Sequence, residues 1–118
     1  MKILLVDDEN LIRRALFLGL QLKGHEPVEA KYPLDALRII KEDDFDLIVF
    51  DYKMSLLSGH DLIKILQSRE IKTPVLILTS MSANEIKSHG INLNQSQIFT
   101  KDKPISEIIS DIENYIVN

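Results

Sequence analysis

An α/β fold built on a parallel sheet with helices on both faces is what this sequence predicts, and three observations predict it. Short β-like runs alternate with longer stretches of helical periodicity, the pattern left by successive β-α units. The runs are almost continuously apolar, as expected of strands covered on both faces. Four of them also end on residues that carry chemistry. Ile3-Leu4-Leu5-Val6 runs into Asp7-Asp8, Leu47-Ile48-Val49-Phe50 into Asp51, Val75-Leu76-Ile77-Leu78 into Thr79, and Ile98-Phe99-Thr100 into Lys101. In an open parallel sheet, ligands sit beyond the carboxyl ends of the strands. If the four runs are neighbours, three carboxylates, a hydroxyl and an ammonium meet in one pocket.

The first strand leads into a helix from about Asn10 to Lys23, in which Leu11, Ala15, Leu18 and Leu22 form the inward stripe, widened by Ile12, Leu16 and Leu20. Gly24 stops it. Pro27 to Ala30 is a weak second strand, and a proline there suits an edge better than a centre. Pro33 opens a helix to about Asp43, with Leu34, Ala36, Leu37 and Ile40 facing inward. After the third strand, Ser58-Gly59 leads into a helix from about His60 to Arg69, whose core side is Leu62, Ile63, Ile65 and Leu66. Thr73-Pro74 punctuates before the fourth strand. Ala83 to Ser88 forms a short helix, and the polar, turn-rich stretch from Gly90 to Gln97 reads as a long mobile loop. The last helix, about Ile105 to Val117, is amphipathic, with Ile105, Ile108, Ile109, Ile112 and Ile116 along one side.

At 118 residues the chain fits one domain. A domain of this length buries roughly two-thirds of its unfolded surface, so it needs no covalent staple. The absence of cysteine excludes a disulfide framework and thiolate metal sites. The opening apolar run is four residues long and meets two aspartates, so it is neither a signal peptide nor a membrane span, and the expected location is the cytoplasm. A net charge of −4 argues against direct nucleic-acid binding, which draws on released counterions. Arg13-Arg14, the sole basic doublet, is expected on the solvated face of its helix. His25, His60 and His89 show no ligand spacing and are expected at the surface.

The rim residues define a chemistry. Magnesium prefers six oxygen ligands and keeps several waters, so one or two carboxylates suffice. Asp8 and Asp51 can supply them, Asp7 can hold a coordinated water, and the backbone carbonyl of Lys53 can complete the shell. A cation at about 100 times its dissociation constant would add roughly 2.7 kcal/mol to the stability of three clustered acids. Asp51 can act as a nucleophile on phosphorus if charge on the transferring oxygens is neutralised, with Thr79 donating to one oxygen and Lys101 pairing with another. Each residue alone has a plainer reading: a helix cap for Asp7-Asp8, a strand-end cap for Thr79, a snorkelling surface lysine for Lys101.

Together these residues make the whole chain resemble the receiver domain of bacterial two-component response regulators, the CheY-like family. The resemblance is carried by Asp7-Asp8-Glu9, by Asp51-Tyr52-Lys53-Met54 with Gly59 eight residues past the aspartate, and by Thr79-Ser80 and Lys101 at intervals of 28 and 22 residues. It implies a flavodoxin-like, doubly wound five-stranded sheet in the order 2-1-3-4-5. It also implies that Asp51 accepts a phosphoryl group from a phosphohistidine on a sensor histidine kinase or phosphotransfer protein, with Mg2+ on Asp7, Asp8, Asp51 and Lys53. Thr79 would then be the switch hydroxyl and Lys101 the phosphate-contacting lysine. Such a domain is not an enzyme toward other substrates; it catalyses its own phosphorylation and dephosphorylation, and it switches the binding of a downstream protein through its fourth helix, fifth strand and fifth helix. The sequence names neither kinase nor target. Residues 1–118 are expected to be one receiver domain without an output domain, with dimerisation through the last helix left open.

The chain departs from that family's pattern in several places. Lys101 is followed by Asp102, and the Lys-Pro pair is Lys103-Pro104; the helical phase of Ile108 and Ile109 favours Lys101 as the site lysine. Ser55 stands where proline is common, which should loosen that loop, and Ile98 stands where an aromatic is usual, the aromatic here being Phe99 on the opposite strand face. These departures leave the chemistry intact and weaken the aromatic part of the switch. They also motivate an alternative, an adaptor with the same fold that binds its partner independently of phosphorylation. No Gly-x-x-x-x-Gly-Lys loop follows a strand, which argues against a P-loop nucleotidase. A haloacid-dehalogenase-type phosphatase would need an acid two residues past Asp51, where Lys53 stands.

Overall fold

A computed structural model describes residues 1–52, 57–88 and 98–117. Among the described residues five strands and five helices alternate: β1 (Lys2–Val6), α1 (Asn10–Leu22), β2 (Glu26–Ala30), α2 (Pro33–Glu42), β3 (Leu47–Asp51), α3 (Gly59–Ser68), β4 (Val75–Thr79), α4 (Ala83–Ser88), β5 (Ile98–Thr100) and α5 (Ile105–Val117). The strands form one parallel sheet in the order β2-β1-β3-β4-β5, so the doubly wound reading holds.

Alternation along each strand divides the core in two. Leu4, Val6, Ile48, Phe50 and Ile77 turn to one face, where Ala36, Leu37 and Ile40 of α2 and Leu62 and Leu66 of α3 cover them. Ile3, Leu5, Val49, Leu76 and Leu78 turn to the other, under Leu16 and Leu20 of α1 and Ile108, Ile109 and Ile112 of α5. All five residues of β3 and of β4 are buried, which is why those segments read as unbroken apolar runs. Ile98 packs into the first core, while Phe99 packs into the second, edge-on to Tyr115 with ring centroids 5.9 Å apart.

Local chemistry sets the helix boundaries. Pro33 occupies the first turn of α2, where its missing N–H costs nothing. Ser58 and Asp61 form a reciprocal capping box at the start of α3. Gly24, at φ 89°, takes the left-handed conformation that ends α1.

The inward faces of two helices differ from the sequence expectation. In α1, Leu11 and Leu22 are each 88% exposed and Leu18 is also exposed, while Arg13, Leu16 and Leu20 are buried. The helix carries leucines on both sides, and the narrower stripe beginning at Arg13 is the one that meets the sheet. Leu34 is 62% exposed on α2, because Pro33, Ala36, Leu37 and Ile40 already fill the inward arc. Arg13 is therefore not on the solvated face with Arg14; the two adjacent arginines point to different environments. His25 also departs from its expected solvated position: its ring lies between the N-terminal amine, at 3.2 Å, and Glu113 of α5, at 3.3 Å. The side chain of His60, the whole of His89, Ser55 and the stretch Gly90 to Gln97 lie outside the described residues. No described helix is long and apolar enough to cross a membrane.

α1 packs against α5 at Gly19, where an added Cβ would clash with Cδ1 of Ile109. Gly19→Ala is therefore expected to destabilise the fold by about 1–3 kcal/mol despite alanine's better helix propensity. Combining it with Ile109→Val, which removes the clashing methyl, should cost less than the sum of the two single changes, as urea unfolding of the cycle would measure.

Candidate functional site

Register brings the chemistry-bearing residues together. Val6 of β1 pairs with Phe50 of β3, Asp51 with Leu78 of β4, and Thr79 with Thr100 of β5. The residues at or just past these pairs therefore share the carboxyl rim of the sheet. Backbone bonds carry the ladder to its end: Asp7 N–H donates to Ala30 O at 3.2 Å, Tyr52 N–H to Leu78 O at 3.3 Å, and Lys101 N–H to Thr79 O at 3.0 Å.

Asp7 and Asp51 are buried and Asp8 is half-buried, and one oxygen from each of the three lies within 4.8 Å of the others. Opposite ligands of a magnesium ion stand about 4.2 Å apart, twice its bond length, so these oxygens are gathered on the scale of one coordination shell. Hard carboxylate oxygens with room for water on the exposed side suit that ion. Lys53, the fourth metal ligand expected from the sequence, lies outside the described residues.

The Lys101 ammonium sits among the acids, 2.9 Å from Asp7 Oδ2, 3.0 Å from Glu9 Oε1 and 3.2 Å from Asp51 Oδ2. Burial works to lower its pKa. Hydrogen bonds to Asp7 and Glu9, with the charges of Asp51 and Asp7, outweigh burial and hold it above the ordinary lysine value. The lysine is thus charged throughout the neutral range. Lys103, by contrast, is 2.5 Å from Asp111 Oδ2 on α5 and is held away by that pair.

Thr79 is buried at the end of β4, and its Oγ1 accepts a 3.1 Å bond from Met81 N–H. That bond fixes the oxygen while its own proton can still be donated. Tyr52 follows Asp51 into the first core; burial, then the charge of Asp61, raises its phenol pKa and keeps it neutral.

Two contributors were not assigned a role from the sequence. Glu9 immediately precedes α1; its N–H donates to Asp7 Oδ1 at 2.9 Å while its carboxylate reaches Lys101, 92 positions along the chain. Arg13 is the other. Its position three and seven residues before Leu16 and Leu20 was the available signal, since that phase puts all three on one helix face. Three carboxylates, Asp7, Glu9 and Asp51, meet one ammonium and Asp8 stands beside two of them, so the site carries surplus negative charge that a divalent cation would offset.

Comparisons with known proteins bear on the family and the fold. The sequence model of the response regulator receiver domain family matches residues 3–113. The cell cycle response regulator CtrA of Brucella ovis is 27% identical over 112 residues, which cover 95% of this chain and 48% of CtrA. The chain thus spans about half the length of the curated relatives it matches. Among solved structures, the Francisella response regulator 1452 receiver domain superposes with a TM-score of 0.81 at 29% identity, covering 98% of this chain and 96% of that one. The chemotaxis response regulator CheY4 of Vibrio cholerae superposes with a TM-score of 0.79 at 27% identity, covering 97% of each chain.

The charge balance of the site gives a stability test. Lys101→Met removes the cation from two buried carboxylates and should destabilise the metal-free protein by about 3 kcal/mol. Magnesium should restore much of that loss, so the difference between variant and wild type in urea unfolding should be larger in EDTA than in excess MgCl2.

Proposed function

The chain belongs to the response regulator receiver domain family, and we propose that within it Asp51 is the phosphoacceptor of a two-component signalling protein. The observation that carries this reading is the convergence of Asp7, Asp8, Asp51, Thr79 and Lys101 on one rim, with Lys101 already in contact with the Asp51 carboxylate. In this reading a carboxylate oxygen of Asp51 attacks the phosphorus of a phosphohistidine on a sensor kinase or phosphotransfer protein. A phosphorus–oxygen bond forms, the phosphorus–nitrogen bond breaks, and the departing imidazole takes up a proton. The product is an acyl phosphate on Asp51.

Each neighbouring residue has work in that step. Asp7 and Asp8, with Asp51 and the Lys53 carbonyl, would hold Mg2+, which when bound neutralises charge on the transferring oxygens. Lys101 has to exchange one carboxylate partner for a phosphoryl oxygen, a movement of its terminal atoms alone. Thr79 donates its hydroxyl proton to another oxygen while keeping Met81 N–H as donor. Hydrolysis reverses the modification by attack of water on the same phosphorus, so the domain catalyses its own phosphorylation and dephosphorylation and nothing further.

The signal passes outward from Thr79 through β4 and the adjoining β5–α5 surface, biasing a two-state face toward a protein target. The inward aliphatic Ile98 and the Phe99 ring on the α5 side mean that this transmission runs without an aromatic at position 98. The setting is the cytoplasm, where sensor kinases present their phosphohistidines.

Incubation with MgCl2 and a small phosphodonor such as acetyl phosphate should add the mass of one phosphoryl group, lost on Asp51→Asn and prevented by EDTA. Thr79→Ala should leave the site of modification unchanged but lower its rate by about a hundredfold, the scale of losing one donor to the transferring group. A wild-type mass that stays constant, with no response to beryllium fluoride, would replace this reading with the phosphorylation-independent adaptor.

A further inference from the structure

Among the described residues, Arg13 is the one buried charged residue near the rim that the phosphoacceptor reading leaves without a task; it is 8% exposed. Its three donor groups reach three different elements. Nη1–H donates to the backbone oxygen of Asp7 at 2.6 Å, Nη2–H to Asn10 Oδ1 at 2.9 Å, and Nε–H to Glu29 Oε1 at 3.2 Å. The end of β1, the first residue of α1 and the edge strand β2 are thereby tied to one rigid planar group.

Burying a cation is costly unless it is paired, and placing it beside a cation site repels the ion it neighbours. Electrostatics alone therefore argues against an arginine here. Its geometry argues for one: the fork fixes the direction of the Asp7 carbonyl, and so the turn from which the Asp7 and Asp8 carboxylates project. Beneath them a cavity of about 10 Å³, walled by Asp7, Arg13, Leu16, Val49, Asp51 and Leu78, has space for about one water.

We propose that Arg13 is a positioning residue for the acidic site, clamping the Asp7 carbonyl so that the Asp7-Asp8 turn is preset to receive a divalent cation. The inference rests on the metal-binding part of the reading above. It assigns the binding energy to shape: the clamp supports cation affinity although its charge opposes it.

Titration calorimetry of MgCl2 into the full chain tests this, at a temperature where circular dichroism shows each variant folded. Arg13→Met should raise the magnesium Kd about tenfold, the scale seen when support behind a metal ligand is removed. Arg13→Lys keeps the charge but cannot span three acceptors, so it should weaken binding nearly as much; it also carries the test if the methionine variant fails to fold. Arg14→Met is the charge control, because Arg14 also pairs with Glu29 but from an exposed position; its Kd should stay unchanged or tighten slightly. A merely structural role would lower melting temperature and leave the Kd of folded Arg13 variants at the wild-type value, which would overturn the proposal, as would tighter binding. No magnesium binding by wild type itself would instead remove the metal reading and the clamp with it.

Discussion

The contact on which this molecule turns is one ammonium held by three carboxylates. Lys101 compensates Asp7 and Asp51, two acids that the sheet buries side by side, and it does so from the opposite end of the chain. Without it the rim of a parallel sheet that gathers acids from β1 and β3 would be a repulsive structure. With it, the site is satisfied enough to fold and still short of positive charge, because Glu9 and Asp8 add two further negative groups. A site in that condition is stable and receptive together.

The same contact links folding to function. Lys101 stands on the residue after β5, whose short ladder with β4 is fixed by the Thr79–Thr100 pair and by the Lys101 N–H bond to Thr79 O. Any anion that draws the ammonium away from Asp7 acts at the same place as the backbone bond that joins the last two strands. In the phosphoacceptor reading, a change of charge at Asp51 would act on the β5–α5 side of the domain through this lysine.

Much of this was legible in the sequence because strands buried on both faces leave no ambiguity of phase. Each apolar run of β1, β3 and β4 ends at a polar residue, Asp7, Asp51 or Thr79, that is itself buried at the rim. Helix α1 was less legible for the opposite reason. Leucines at 11, 18 and 22 compete with Ile12, Leu16 and Leu20, and periodicity cannot choose between two apolar stripes when the true one begins with an arginine. What decides is Glu29, sixteen residues away on another element, which makes it tolerable to bury Arg13. The role of Glu9 was hidden likewise: its partner lies at the far end of the chain, and no local pattern encodes a contact of that separation. Lys101 was separable from Lys103 through the helical phase of Ile108 and Ile109, and in the structure Asp111 holds Lys103 while Lys101 lies among the acids.

The edge strand carries a consequence for association. Glu26 N–H donates to Met1 O, so alternate residues of β2, Glu26, Val28 and Ala30, direct their backbone groups to β1. Pro27 and Glu29 therefore present theirs outward. At the first of these there is no hydrogen to offer, and at the second the side chain is tethered to two arginines. An incoming peptide strand would find this border an incomplete template. Lengthening of the sheet at this border is thus discouraged by the strand's own residues, whatever chain approaches it.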